Sequence, residues 1–116
     1  MLQLLWQSLI EPVMSQALPH DNRRSHERFK FIKPMHVLVA KRTVKGFTVD
    51  IGEGGVSFIV DTMLHKGSVT VEIPDVQLTL EGQILGYQPT SDAGLYRHHM
   101  QFKTPLRTAV LEQILT

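Results

Sequence analysis

A chain of 116 residues can bury one modest hydrophobic core but not two, so a single compact domain is expected. Its 42% hydrophobic and 20% charged residues exclude wholesale disorder, and the lack of cysteine excludes a disulfide framework, a thiolate metal site and a cysteine nucleophile. A formal net charge of only +1 argues against a nucleic-acid binder that works through a broad basic field.

The chain opens with an apolar stripe. Leu2, Leu5, Leu9 and Val13, with Trp6, Ile10, Met14 and Ala17 beside them, recur at the three-to-four spacing of a helix, which Pro12 should kink or divide. Residues 1–20 therefore form an N-terminal amphipathic helical segment, ahead of a domain spanning 21–116. The opening lacks the basic start of a secretory signal and is interrupted by glutamines, Glu11 and Pro12. Neither export nor stable membrane insertion is expected, and the default compartment is the cytoplasm. Its polar face has no Lys or Arg to hold a membrane surface. The stripe should instead find a mate in its own barrel, a second copy or a protein partner.

The "LPHDN" stretch punctuates the chain, and "DNRRSHERFKF" follows on what reads as an extended or irregular linker. It places Arg23, Arg24 and Arg28 within six residues. Positive charge is concentrated here. Between Asn22 and Lys45 lie eight of the twelve Lys and Arg residues, opposed by Glu27 alone, whereas the chain from Gly46 onward carries four basic and eight acidic groups.

From Met35 the hydrophobic period changes to two. "MHVLVAK", "GFTVDI", "VSFIVD", "SVTVEI", "QLTLEGQIL" and "LYRHHMQF" give six candidate strands, separated by short connections at Lys45-Gly46, the Gly52 to Gly55 region, Lys66-Gly67, Pro74-Asp75 and "PTSDAG". No intervening helical segment is available for parallel crossovers, so the strands should pair antiparallel in a closed or nearly closed small barrel. Helical spacing returns at the end, with Leu106, Val110 and Ile114 on one face and Leu111 and Leu115 beside it. Thr104 and Pro105 read as cap and first helical residue. That helix should pack on the barrel or plug it. The fold class is mainly β: a six-stranded antiparallel barrel with a C-terminal helix and an additional N-terminal helix.

Two segments stand out chemically. Arginine presents a planar fork that meets phosphate bidentately, matches the O6/N7 edge of guanine and stacks on a base. The turn "DIGEGG", Asp50 to Gly55, offers a carboxylate acceptor for a guanine's N1–H and amino group, and glycines that let backbone N–H groups approach a ligand. Taken separately, a basic cluster before a strand is more often a solvated linker, and "GEGG" more often a hairpin turn. Their order and spacing around a six-strand pattern say more.

In these residues the chain resembles the PilZ domain, a bacterial module that binds the second messenger cyclic di-GMP. The family signature is RxxxR in an N-terminal loop, followed some twenty residues later by [D/N]xSxxG at a strand–turn–strand, on a six-stranded antiparallel barrel with a C-terminal helix. "RSHER" supplies the first motif through Arg24 and Arg28, and "DIGEGG" the second through Asp50 and Gly55. The resemblance runs from about Asn22 to the C-terminus. It implies that Arg24 and Arg28 clamp phosphate and guanine, that Asp50 reads a guanine edge and that Gly55 keeps the turn open for the base. It implies further that Arg23 marks binding of the ligand as an intercalated dimer, where extra positive charge offsets four phosphates. One departure is visible: Gly52 stands where the family usually has serine. A missing hydroxyl forfeits ~1 kcal/mol for an ordinary hydrogen bond and ~2 if its partner is charged.

Other chemistry fares worse. His98 and His99 fall on a strand, so their rings point to opposite faces and do not share a metal. No GxSxG, paired carboxylates or Walker-type loop is present, so no enzyme is expected, and no cofactor beyond the ligand. Two functions follow from the resemblance: a cyclic di-GMP receptor or adaptor whose mobile arginine loop is ordered by ligand, with motility or biofilm among the family's outputs, or a protein-interaction adaptor that has lost ligand binding. A single-strand nucleic-acid binder is disfavoured by the 7% aromatic content.

Overall fold

A computed structural model describes residues 27–116. The amphipathic segment expected over 1–20 lies outside the described residues, as do Arg23 and Arg24. Seven strands and one helix follow in order: β1 Arg28–Lys30, β2 Pro34–Val39, β3 Arg42–Gly52, β4 Gly55–Val60, β5 Gly67–Ile73, β6 Leu78–Pro89, β7 Tyr96–Phe102 and α1 Thr108–Leu115. The six strands expected from the period-two pattern are β2 to β7. All pair antiparallel, and the ring β3-β2-β5-β6-β7-β4 closes through a β3–β4 pairing into a barrel. Closure removes the open edges that a flat sheet of this size would expose.

Alternation sorts the strands by face. Val37, Ile51, Phe58, Val71, Ile73, Ile84 and Met100 fill one core cluster. β4 is buried along its whole length, because Ile59 on its other side packs in a second cluster with Val49, Ile32 and Leu95. α1 closes the barrel through Leu111, which is buried, with Leu106, Ile114 and Leu115 against the core.

Three expectations are made definite or corrected. Of the extended or irregular linker expected for the arginine cluster, the described part is extended: Arg28, Phe29 and Lys30 pair with Gly52, Ile51 and Asp50 as β1. Phe29 and Phe31 alternate toward the core while Arg28 points the other way. The crossing to β2 is stitched by Thr48, whose Oγ1 accepts from Lys33 N–H at 2.8 Å and donates to Phe31 O. Second, Lys45-Gly46 is not a turn but the middle of β3; the chain reverses at Ala40-Lys41, with Ala40 at φ 54°. A Cβ at Gly46 would lie 2.1 Å from Ile59 O, so glycine is there to admit the neighbouring strand. Third, the helix begins at Thr108 instead of Pro105, with Arg107 as the capping residue. Backbone bonds from Lys103 N–H to Glu81 O and from Leu106 N–H to Glu53 O hold the intervening chain out of the helix.

His98, buried on β7, fixes the β4–β5 connection. Its Nε2 accepts from Leu64 N–H at 2.9 Å, its Nδ1 lies 3.2 Å from Tyr96 O, and its ring stacks on Phe58 at 5.4 Å. A carbonyl only accepts, so the proton sits on Nδ1 and the ring is neutral. Burial lowers its pKa below the ordinary value of 6.5, against a smaller raising effect of the Tyr96 carbonyl. An unfolded chain takes up this proton more readily than the folded one, so the contribution is present above pH 6.5 and is lost as pH falls toward the lower folded value. NMR titration should show His98 still neutral where an exposed histidine is already charged, and the denaturation midpoint should fall on acidification below that range.

Candidate functional site

Arg28 leaves β1 on the side away from the core and reaches across β3. Its Nη1 donates to Asp50 Oδ1 at 2.8 Å, while Arg97 of β7 donates through Nη2 to Asp50 Oδ2 at 3.0 Å. One carboxylate thus lies between two guanidiniums. Asp50 and Arg97 are buried, and the Arg28 side chain keeps 20% of its surface exposed. Together the three groups carry one net positive charge, held where water screens it poorly. Charge-assisted bonds on both carboxylate oxygens fix Asp50 and aim Arg28.

The register extends this cluster across the sheet. Asp50 pairs with Ser57 of β4, Ser57 with His99 of β7, and His99 with Gly86 of β6. A bulge between Thr48 and Asp50 brings Asp50 to the same face as Ser57. Ser57 Oγ lies 3.1 Å from His99 Nδ1 and 3.5 Å from Arg28 Nη1. A polar row of Asp50, Ser57 and His99 therefore crosses three strands, ending against Gly86 of β6, with Arg28 above it.

The turn between β3 and β4 forms one end of the row. A Cβ on Gly55 would meet Met100 O at 2.4 Å and Arg28 Nη2 at 3.3 Å, so this glycine admits both the neighbouring strand and the guanidinium. Gly52 has a different role from the one its sequence suggests. A Cβ there would lie 2.5 Å from Glu27 O and 3.3 Å from Arg28 Cδ. The residue that costs the site a hydroxyl also lets β1 close over the turn. Glu53 turns to the far side, where its carbonyl accepts from Leu106 N–H at 2.8 Å and its Oε2 from Thr108 Oγ1 at 2.9 Å. A cleft of about 620 Å³ lies there, floored by Phe29, Leu111 and Leu115 and rimmed by Glu27, Glu53 and Glu112.

The PilZ domain family model matches residues 22–116. The chain belongs to the PilZ domain family. No curated protein matches it. Of the PilZ motif positions, Arg28, Asp50, Gly52 and Gly55 converge on one end of the barrel, while Arg23 and Arg24 fall outside the described residues. Arg28 stands at the start of β1 and is paired with Asp50. Both oxygens of Asp50 are engaged by guanidiniums, so in this state the PilZ aspartate holds arginines. Reading the sequence missed Arg97, Ser57 and His99. Alternation places Arg97 and His99 on one face of their strand, but nothing local showed that this face meets Asp50. Among the described residues no group of His, Asp and Glu is arranged to hold a metal. Among them, too, no helix is long and apolar enough to cross a membrane.

Restoring the family serine tests the geometry. Gly52→Ser should destabilise the fold by roughly 1–3 kcal/mol in urea denaturation, the usual range for forcing atoms into packed space. A stabilised variant would show that β1 does not sit this close to the turn.

Proposed function

We propose that the chain is a non-enzymatic cyclic di-GMP receptor and adaptor working in the cytoplasm. The observation that supports this reading most is the convergence of the two sequence motifs: Arg28 from the first stands beside Gly55 from the second, over a cluster with net positive charge. A phosphate would offset that charge, and a guanidinium beside a glycine offers a guanine both a hydrogen-bonding edge and a stacking plane. In this reading Arg24 and Arg28 clamp phosphate and guanine, Asp50 orients Arg28 and meets the guanine edge with its remaining lone pairs, and Gly55 leaves room for the base. Arg23 adds the charge for an intercalated ligand dimer.

The output is a changed surface. β1 separates the cluster from the acidic-rimmed cleft, and Glu53 ties the turn to the start of α1. A ligand that moves the turn or β1 would alter the seating of α1, and with it the surface presented to a partner or a second copy. The second reading, an adaptor that has lost ligand binding, is favoured by the engaged Asp50 oxygens and the missing hydroxyl at Gly52.

Isothermal calorimetry with cyclic di-GMP separates the two. The receptor reading expects saturable binding, and Arg28→Ala should weaken it by roughly 2 kcal/mol, about thirtyfold, as loss of a charged clamp does. Absence of heat and of retention in equilibrium dialysis would leave the adaptor reading. If Arg23 supports an intercalated dimer, the titration should saturate near two ligands per chain, and a one-to-one endpoint would remove that element.

A further inference from the structure

His98 and His99 are adjacent on β7 yet held in opposite ways. His98 bonds a backbone N–H through one nitrogen and a carbonyl through the other, an arrangement that only a neutral ring satisfies. His99, on the opposite face and half-buried, meets Ser57 Oγ through Nδ1 at 3.1 Å. A hydroxyl both donates and accepts. A neutral His99 accepts from the Ser57 hydroxyl or donates to it according to its tautomer, and a charged His99 donates to the same oxygen. Gaining a proton therefore costs His99 no bond to Ser57, whereas His98 would lose its bond from Leu64.

The surroundings decide when that proton is gained. Among the described residues, β4 faces His99 with Gly55, Ser57 and Ile59 and β6 with Gly86, Gln88 and Gln83; the one charged residue of β6, Glu81, lies farther along that strand, opposite Thr70. Arg97 and Gln101 flank His99 on its own strand, and Arg28 of β1 and Asp50 of β3 lie beyond Ser57. Among the described residues, the charged groups beside His99 and beyond Ser57 are thus Arg97, Arg28 and Asp50, and the two guanidiniums oppose a further proton. A bound anion reverses the sign. The ground is open toward β6, where a Cβ on Gly86 would meet nothing within 4 Å.

We propose that His99 is a ligand-site residue that takes up a proton as a phosphate-bearing ligand binds, so that binding tightens as pH falls. The inference rests on the receptor reading and adds to it a residue outside both motifs and a proton linkage. Calorimetry of the full chain with cyclic di-GMP at pH 8 and pH 6 should show binding about tenfold tighter at the lower pH, inside the limit of about a hundredfold that one coupled proton sets across two pH units. Repeating the titration near pH 7 in two buffers of different ionisation enthalpy should reveal net proton uptake by the complex. H99Q, shown to be folded by its thermal melt, should lose most of the pH dependence. Binding with a flat pH profile and no proton uptake overturns this inference alone, as does an H99Q variant that keeps the wild-type slope. Absence of binding at every pH overturns the receptor reading and this inference with it.

Discussion

The carboxylate of Asp50 sits between two guanidiniums from opposite ends of the chain, one delivered by β1 and the other by β7. Burying this trio costs desolvation, and its attraction is repaid only while the geometry stays good. The barrel supplies that geometry. β3, β4 and β7 are hydrogen-bonded neighbours, so Asp50, Ser57, Arg97 and His99 are fixed by ladder register instead of loop conformation. The result is a platform, fixed by strand register, that holds two guanidiniums against one carboxylate and leaves one guanidinium partly exposed.

β1 is what brings Arg28 to that platform. Three residues make a short strand, and its stability comes from what surrounds it: Phe29 and Phe31 packed on the core, Thr48 bonding the chain on its way to β2, and glycine at position 52 beneath it. A side chain at 52 and a closely paired β1 exclude one another. The departure from the family pattern therefore accompanies a close seating of the arginine strand over the turn, a relation that counting hydrogen bonds in the motif would not reveal.

The same strand and turn face two ways. Arg28 belongs to the cationic face, whereas Glu27, Phe29 and Glu53 look into the cleft beside α1. Glu53 stands within the DIGEGG turn and bonds Leu106 and Thr108 through its backbone and its side chain. A displacement at the turn thus has a direct mechanical route to the C-terminal helix, through two hydrogen bonds and without a long chain of intermediates.

Much of this was legible in the sequence because strand alternation, turn residues and helical spacing are local properties. They determined six strands, antiparallel pairing and a C-terminal helix, and motif order pointed to Arg28, Asp50 and Gly55. Boundaries that answer to distant bonds were not legible: α1 starts late because Leu106 is held by Glu53, and Gly46 lies within a strand because Ile59 passes close to it. The site divides in the same way. Sequence named the arginine and the aspartate, while only the tertiary structure joined Arg97 to Asp50 across 47 positions and Ser57 to His99 across 42. Nor could local sequence show that Gly52 is a steric requirement, since the atom it must avoid belongs to Glu27. Register between strands far apart in the chain is set by closure of the whole barrel, and no short stretch carries that information.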